Sequence, residues 1–184
     1  MAETPSTMVD LGTKAPDFNL PDAVSGENVS LEDVKSDKAT VIMFICNHCP
    51  FVKHVKEELT KLASEYKKKG ASFAAINSND VENYPQDSPE NMKKDAERFG
   101  YPFPYLFDET QEVAKAYDAA CTPDFYIYDK DLKLVYRGQL DDSRPGNNIP
   151  VTGKDLRGAL DNVLEGKKVS EEQKPSLGCN IKWK

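Results

Sequence analysis

The sequence predicts an α/β fold: a central mixed β-sheet with helices on both faces and a β-hairpin extension on its N-terminal side. Three observations carry this prediction. Thr40-Val41-Ile42-Met43-Phe44-Ile45 and Ala71-Ser72-Phe73-Ala74-Ala75-Ile76-Asn77 are apolar runs of strand length, and strands that are apolar throughout are buried on both faces. Between them Phe51, Val55, Leu59, Leu62, Ala63 and Tyr66 recur at helical spacing, so the unit is strand, helix, strand, with parallel strands and a right-handed crossover. Asp124 to Asp129 and Leu132 to Tyr136 are two strand runs joined by a turn at Lys130-Asp131; this antiparallel hairpin makes the sheet mixed.

The elements follow in order. Residues 1–10 read as a flexible arm. Pro16 and Pro21 bracket an extended piece with Phe18 and Leu20 on one face, and Asn28-Val29-Ser30-Leu31 is its hairpin partner, with Gly26 in the turn. Leu31 to Val34 reads as one helical turn. After the first core strand, a helix runs from Pro50 through the lysines 67–69 to a stop at Gly70. Ser78 to Pro89 is polar and rich in turn formers. It leaves the sheet at a strand end, where ligand crevices of α/β proteins lie, and it reads equally well as a surface connection. Ser88 caps a helix that begins at Pro89 and ends at Phe99, before Gly100. Tyr101 to Phe107 is an aromatic, proline-rich crossing, and Asp108 or Thr110 caps a helix through Val113, Ala116 and Tyr117. Leu156, Leu160, Val163 and Leu164 mark a final helix that stops at Gly166. The domain therefore spans residues 11–166, and a tail, 167–184, carries Cys179.

The chemistry concentrates in Cys46-Asn47-His48-Cys49-Pro50, at the junction of the first core strand and the helix. The unpaired N–H groups and dipole of a first helical turn favour negative charge. A cysteine there is expected to ionise readily, with a pKa of about 3.5–7.5. Two intervening residues bring both sulfurs into one turn, so one can attack a substrate disulfide and the other can resolve the mixed disulfide. Pro50 suits the first helical position because it lacks an N–H that would be unpaired. His48, when protonated, would hold a neighbouring thiolate and make the oxidised pair a better oxidant. Two other readings compete. A structural zinc site needs two further ligands at suitable spacing, and the remaining cysteines, Cys121 and Cys179, are single and far apart. Two cysteines can also simply pack as small apolar groups. The expectation is no metal and no organic cofactor.

The chain has 184 residues, 24 Lys and Arg against 31 Asp and Glu, and a net charge of −7. That balance argues against a nucleic-acid surface and against anionic membranes. No run approaches a membrane span. Residues 1–7 lack the basic start and apolar stretch of a signal peptide, so a cytoplasmic address is expected. In that compartment a C-x-x-C is more often catalytic or metal-binding than structural.

These stretches resemble a known family. Gly12-Thr13-Lys14-Ala15-Pro16-Asp17-Phe18, the Cys46 to Pro50 motif and Thr122-Pro123 are similar to the thioredoxin superfamily, in its peroxiredoxin-like AhpC/TSA branch. Cys121-Thr122-Pro123-Asp124, Asp141 to Asn147 and Gly178 to Lys184 resemble thioredoxin-like proteins of that branch that share the Asn-His-Cys-Pro stretch. The resemblance implies a thioredoxin-like fold and a thiol–disulfide oxidoreductase with antioxidant activity, using Cys46 as the exposed nucleophile and Cys49 as the buried resolving thiol. Asn47, His48 and Pro50 would support them. Pro123 would be a cis-proline facing the motif, leaving the Thr122 backbone free to pair with a substrate chain, and Cys121 would lie near the sulfurs. The implied partners are a disulfide-bearing protein or a small thiol or peroxide, with a thioredoxin- or glutathione-type reductant.

Two alternatives stand beside this. In the peroxiredoxin register T-x-x-C, Cys49 would react with peroxide. Cys46 then replaces the threonine, and the activating arginine expected before the Phe125 strand is absent, which removes a cationic donor of a kind commonly worth about 2.7–4 kcal/mol. The other alternative is a non-enzymatic redox-sensing or partner-binding module. Cys179 in the tail could resolve or relay a disulfide, anchored by Ile181 and Trp183, or could simply pack.

Overall fold

The structure is a computed structural model and describes residues 3–184. In chain order its strands and helices are β1 (Glu3–Pro5), β2 (Asn19–Pro21), β3 (Asn28–Ser30), α1 (Leu31–Val34), β4 (Ala39–Phe44), α2 (Pro50–Lys68), β5 (Ala71–Asn77), α3 (Pro89–Phe99), β6 (Tyr105–Phe107), α4 (Glu112–Ala116), β7 (Cys121–Thr122), β8 (Asp124–Tyr128), β9 (Leu134–Gly138), α5 (Lys154–Leu164) and β10 (Leu177–Asn180). A single 3₁₀ turn, Pro85–Asp87, precedes α3.

The main sheet has the order β6-β5-β4-β8-β9. β4 runs parallel to β5 and antiparallel to β8, so the sheet is mixed as predicted. β4 sits at its centre because every one of its residues is buried. Val41 and Met43 pack with α2, α3 and α5 on one face, whereas Ile42 and Phe44 pack with α1 and α4 on the other. This two-sided split follows from the alternation of side chains along a strand. Each such side chain contributes roughly 1.5–3 kcal/mol by leaving water. The helix ends are built from local chemistry. Ser30 and Asp33 form a reciprocal capping box on α1, Ser88 caps α3, and Gly100 closes α3 in the left-handed region at φ 66°. Asp108, one of the two predicted caps, accepts from the N–H of Ala114 at 2.9 Å.

Several expectations are corrected. The arm is not loose over its described part: Glu3–Pro5 pairs with Leu177–Cys179. Met1 and Ala2 lie outside the described residues. The aromatic crossing contains β6, a parallel neighbour of β5; Pro102 and Pro104 disguise a strand whose residues are all buried. The second hairpin strand starts at Leu134 rather than Leu132, because Leu132 takes a left-handed φ of 58° in the turn.

The tail is the largest departure. β10 lies between β1 and β7 in a three-stranded antiparallel sheet. Ile181 is buried and its N–H donates to Ala120 O at 3.0 Å. Lys182 N–H donates to Asn79 Oδ1 at 2.9 Å, and its carbonyl accepts from Asp80 N–H and from Gln111 Nε2. Trp183, expected to anchor the tail, is 43% exposed. A disulfide, Cys49–Cys179, ties β10 to the start of α2 across a sequence separation of 130 residues. Closing a loop of that size in the unfolded chain is worth about 4–5 kcal/mol in the chain-entropy model. Urea unfolding with and without dithiothreitol should therefore differ by a few kcal/mol, and Cys179→Ser should abolish the difference.

Candidate active site

The end of β4 delivers the motif. Ile45 N–H still pairs with Ile76 O at 3.1 Å, after which the chain leaves the sheet and Cys49 becomes the N-cap of α2. Pro50 opens the helix, and the N–H groups of Val52 and Lys53 close on Cys49 O at 3.0 and 2.9 Å. Both motif sulfurs lie against Thr122: Cys46 Sγ is 3.4 Å from its Oγ1, and Cys49 Sγ is 3.6 Å from its carbonyl oxygen. The Thr122–Pro123 peptide is cis.

The position beside Thr122 is already filled. Cys179 is its antiparallel partner, so the backbone expected to receive a substrate strand pairs with the chain's own tail. The approach is so close that a Cβ built on Gly178 would stand 1.9 Å from Thr122 O. Glycine is required there because two backbones touch, not because of its φ. Cys49 is bonded to Cys179, and Cys46 is a free thiol. The expected Cys46–Cys49 pair is thus within one turn, but the bond present is to the third cysteine.

Cys46 also differs from the exposed, acidic nucleophile that was expected. It is 1% exposed. Burial, and next the charge of Asp87, push its thiol up to about 11, against the opposing pull of Thr122 and of the Cys49 and His48 N–H groups. The Cys49 and His48 N–H groups just before the helix act on the sulfur in the expected direction. Desolvation outweighs them, since transfer from water disfavours the charged form.

Asp87 is the residue beside the motif that the sequence reading missed. It is buried in the 3₁₀ turn, within the polar stretch after β5. His48 Nδ1 lies 2.5 Å from its Oδ2. Asn47 N–H donates to its Oδ1 and Asn79 Nδ2 to its Oδ2, both at 2.8 Å. Burial alone would raise the Asp87 carboxyl, but the His48 contact and the Asn79 and Asn47 donors together hold it below its ordinary value. The His48 ring stacks on Tyr84 with centroids 5.9 Å apart. Asn47 is held at every polar group: its Nδ2 donates to Gln86 O, its Oδ1 accepts from Tyr105 OH, and its carbonyl accepts from Lys56 Nζ. The polar stretch was the available signal. Its spacing could not single out Asp87 from Asp80 or Glu82.

Cys46, His48 and Asp87 each place one donor atom within 4.8 Å of the other two. A sulfur, a nitrogen and an oxygen could in principle receive a divalent cation. Here the closest pair is the imidazole and the carboxylate, with Nδ1 and Oδ2 in direct contact at 2.5 Å. Cys121 does not join the sulfurs. It precedes Thr122 in β7 and so turns to the opposite side, where it lies in the fields of Asp124 and Arg137. Burial pushes its thiol well up.

Comparison with known proteins agrees with this architecture. Residues 11–137 match the model of the AhpC/TSA family. A thiol-disulfide oxidoreductase ResA from Geobacillus kaustophilus is 32% identical over 139 residues, covering 74% of this chain and 75% of its own. A crystal structure of an uncharacterized conserved protein from Geobacillus kaustophilus is 71% identical, superposes with a TM-score of 0.99, and covers 100% of this chain and 97% of its own. A second, a hypothetical protein from Sinorhizobium meliloti, is 51% identical with a TM-score of 0.96, covering 98% of both chains.

Proposed function

The chain belongs to the AhpC/TSA family and is a thiol–disulfide oxidoreductase, and from that premise we propose that one sulfur, Cys49, is shared in turn by Cys46 and Cys179. The observation that carries this reading is the Cys49–Cys179 bond formed while Cys46, in the same turn and against the same threonine, is left as a thiol.

The exchange balances in three steps. Cys46 thiolate attacks a substrate disulfide, forming a mixed disulfide and releasing one substrate sulfur as thiolate. Cys49 thiolate attacks Cys46 Sγ, releasing the second substrate sulfur and forming Cys46–Cys49. Cys179 thiolate then attacks Cys49 Sγ, and Cys46 leaves as a thiolate and is reprotonated. The substrate has gained two electrons and two protons, and Cys49 with Cys179 has lost them. On this reading the Cys49–Cys179 bond with Cys46 as a thiol corresponds to the end of that sequence. An external thiol of the thioredoxin or glutathione class would return Cys49–Cys179 to the dithiol. Asn47 and His48 line a cleft of about 690 Å³ together with Lys53, Glu57, Arg98 and Phe99, which offers an approach to the motif. No helix among the described residues is long and apolar enough to cross a membrane. We place the reaction in the cytoplasm, where such a disulfide is transient and catalytic.

A second reading is favoured by the same bond. A peroxide would oxidise Cys49 to a sulfenic acid, and condensation with Cys179 would give Cys49–Cys179 without Cys46. Against it, the charge of the buried Arg137 is paired through Nη2 with Asp124 at 2.9 Å. Cys46→Ser separates the two. Under the relay it loses disulfide exchange by at least 10²-fold. Full peroxide turnover in Cys46→Ser, with turnover lost in Cys49→Ser, would establish the second reading.

A further inference from the structure

We propose that His48 and Asp87 are the proton acceptor for Cys46, with His48 taking the proton from its sulfur and Asp87 holding the imidazole as a positioning residue. The inference rests on the relay reading above, because it concerns how the first sulfur of that relay becomes a nucleophile.

Cys46 is 1% exposed, so solvent has little direct access to its proton. An acceptor must therefore stand inside the site. One donor atom each from Cys46, His48 and Asp87 lies within 4.8 Å of the others. His48 Nδ1 faces the Asp87 carboxylate at 2.5 Å. The contact is close but lacks the alignment of a hydrogen bond, and a neutral imidazole keeps one ring nitrogen free to accept a proton. The resulting imidazolium is stabilised by a carboxylate that cannot turn away, since Asn47 N–H and Asn79 Nδ2 each fix one of its oxygens. Stacking on Tyr84 fixes the ring from another side.

The step is a proton transfer without net charge change in the trio: Cys46–SH, neutral His48 and Asp87 carboxylate become thiolate, imidazolium and carboxylate. When Cys179 later displaces Cys46 from Cys49, the departing thiolate recovers that proton from His48. Other groups face the site. Lys182 lies in the field of both Cys46 and Asp87, and Tyr101 and Tyr105 feel Cys46 from the side of α3 and β6. Lys56 is taken up by Asp95 and Asn47 O. Burial lowers the Lys182 ammonium against the opposing charges of Cys46 and Asp87, and its nitrogen donates to Asn180 O and Oδ1.

The test isolates one sulfur. In Cys49→Ser/Cys121→Ser/Cys179→Ser protein, the rate of reaction of Cys46 with the neutral disulfide 2,2′-dithiodipyridine is followed from pH 5 to pH 10. With His48 and Asp87 intact, the rate levels off through neutral pH. His48→Asn and Asp87→Asn are each expected to lower it about 10²–10⁴-fold at pH 7, leaving a rate that climbs about tenfold per pH unit toward the alkaline limit. Asp87→Glu should restore part of the plateau. A profile of unchanged shape in His48→Asn and Asp87→Asn, whether or not its height falls, overturns the proton-acceptor role and leaves the relay standing. No reaction of Cys46 at any pH, with His48 and Asp87 present, overturns the relay and this inference together. If the triple variant does not fold, peptide-resolved labelling of Cys46 in the reduced four-cysteine chain, with and without His48→Asn, reads the same two profiles.

Discussion

Gly178→Ala is expected to uncouple the tail from the active site and to prevent the Cys49–Cys179 bond from forming. The new Cβ would stand 1.9 Å from Thr122 O and 2.6 Å from Thr122 C. Both are backbone atoms, next to a cis peptide and inside a paired strand, so no side-chain rotation relieves the contact. Overpacking of this kind typically costs 1–3 kcal/mol, and more where backbone must move. The strand has two ways to respond. It can peel from β7, which gives up the Cys179–Thr122 pairing, or it can displace Thr122, which both motif sulfurs touch. Either response moves Cys179 away from Cys49. Oxidised Gly178→Ala should therefore lack the bridge in peptide mapping and should unfold in urea as the reduced wild type does. Gly178→Ala with an intact bridge and wild-type stability would mean that the close approach is not as drawn.

Cys49→Ser is the second large effect. The central sulfur is common to both bonds in the relay, so its loss leaves Cys46 able to attack a substrate disulfide but with nothing to resolve the product. Multiple-turnover exchange should fall to background. A mixed disulfide should accumulate on Cys46, and mass spectrometry of the intact variant after incubation with a cysteine-containing model disulfide should find it there. Accumulation on Cys179, with Cys46 unmodified, would assign the first attack to the tail and reverse the direction of the relay.

Much of this architecture was legible in the residues. β5 and α3 follow from an unbroken apolar run and from Ser88-Pro89 at one end with Gly100 at the other. α1 follows from Ser30 and Asp33. Signals of this kind are local, and local physics decides the outcome. What was missed is non-local. β10 contains Gly178 and Asn180, neither a strand former. It is a strand because β1 and β7 flank it and because Ile181 and Lys182 are held by residues from distant segments. The Cys46 environment fails for the same reason. The helix start was readable, and N–H groups beside it pull on the sulfur, but burial outweighs them, and burial is set by how the whole folded chain encloses the motif. Asp87 illustrates a third case. The polar stretch was correctly placed at a strand end, yet only the fold shows which of its acids turns inward to meet His48. Cys46, Cys49 and Thr122-Pro123 were found together because the motif fixes two of them and the resemblance supplies the other two; their partnership with Cys179 was left open, since four cysteines admit three fully paired connectivities.

The most direct measurement of the three-sulfur relay is the order in which its bonds appear. Fully reduced protein would be mixed with one equivalent of a small disulfide, quenched in acid at intervals, alkylated and mapped by peptide mass spectrometry. We predict that Cys46–Cys49 forms first and decays as Cys49–Cys179 rises, and that Cys46→Ser suppresses the second bond. Formation of Cys49–Cys179 at the wild-type rate in Cys46→Ser, with Cys46 never found in a disulfide in the parent protein, would contradict it.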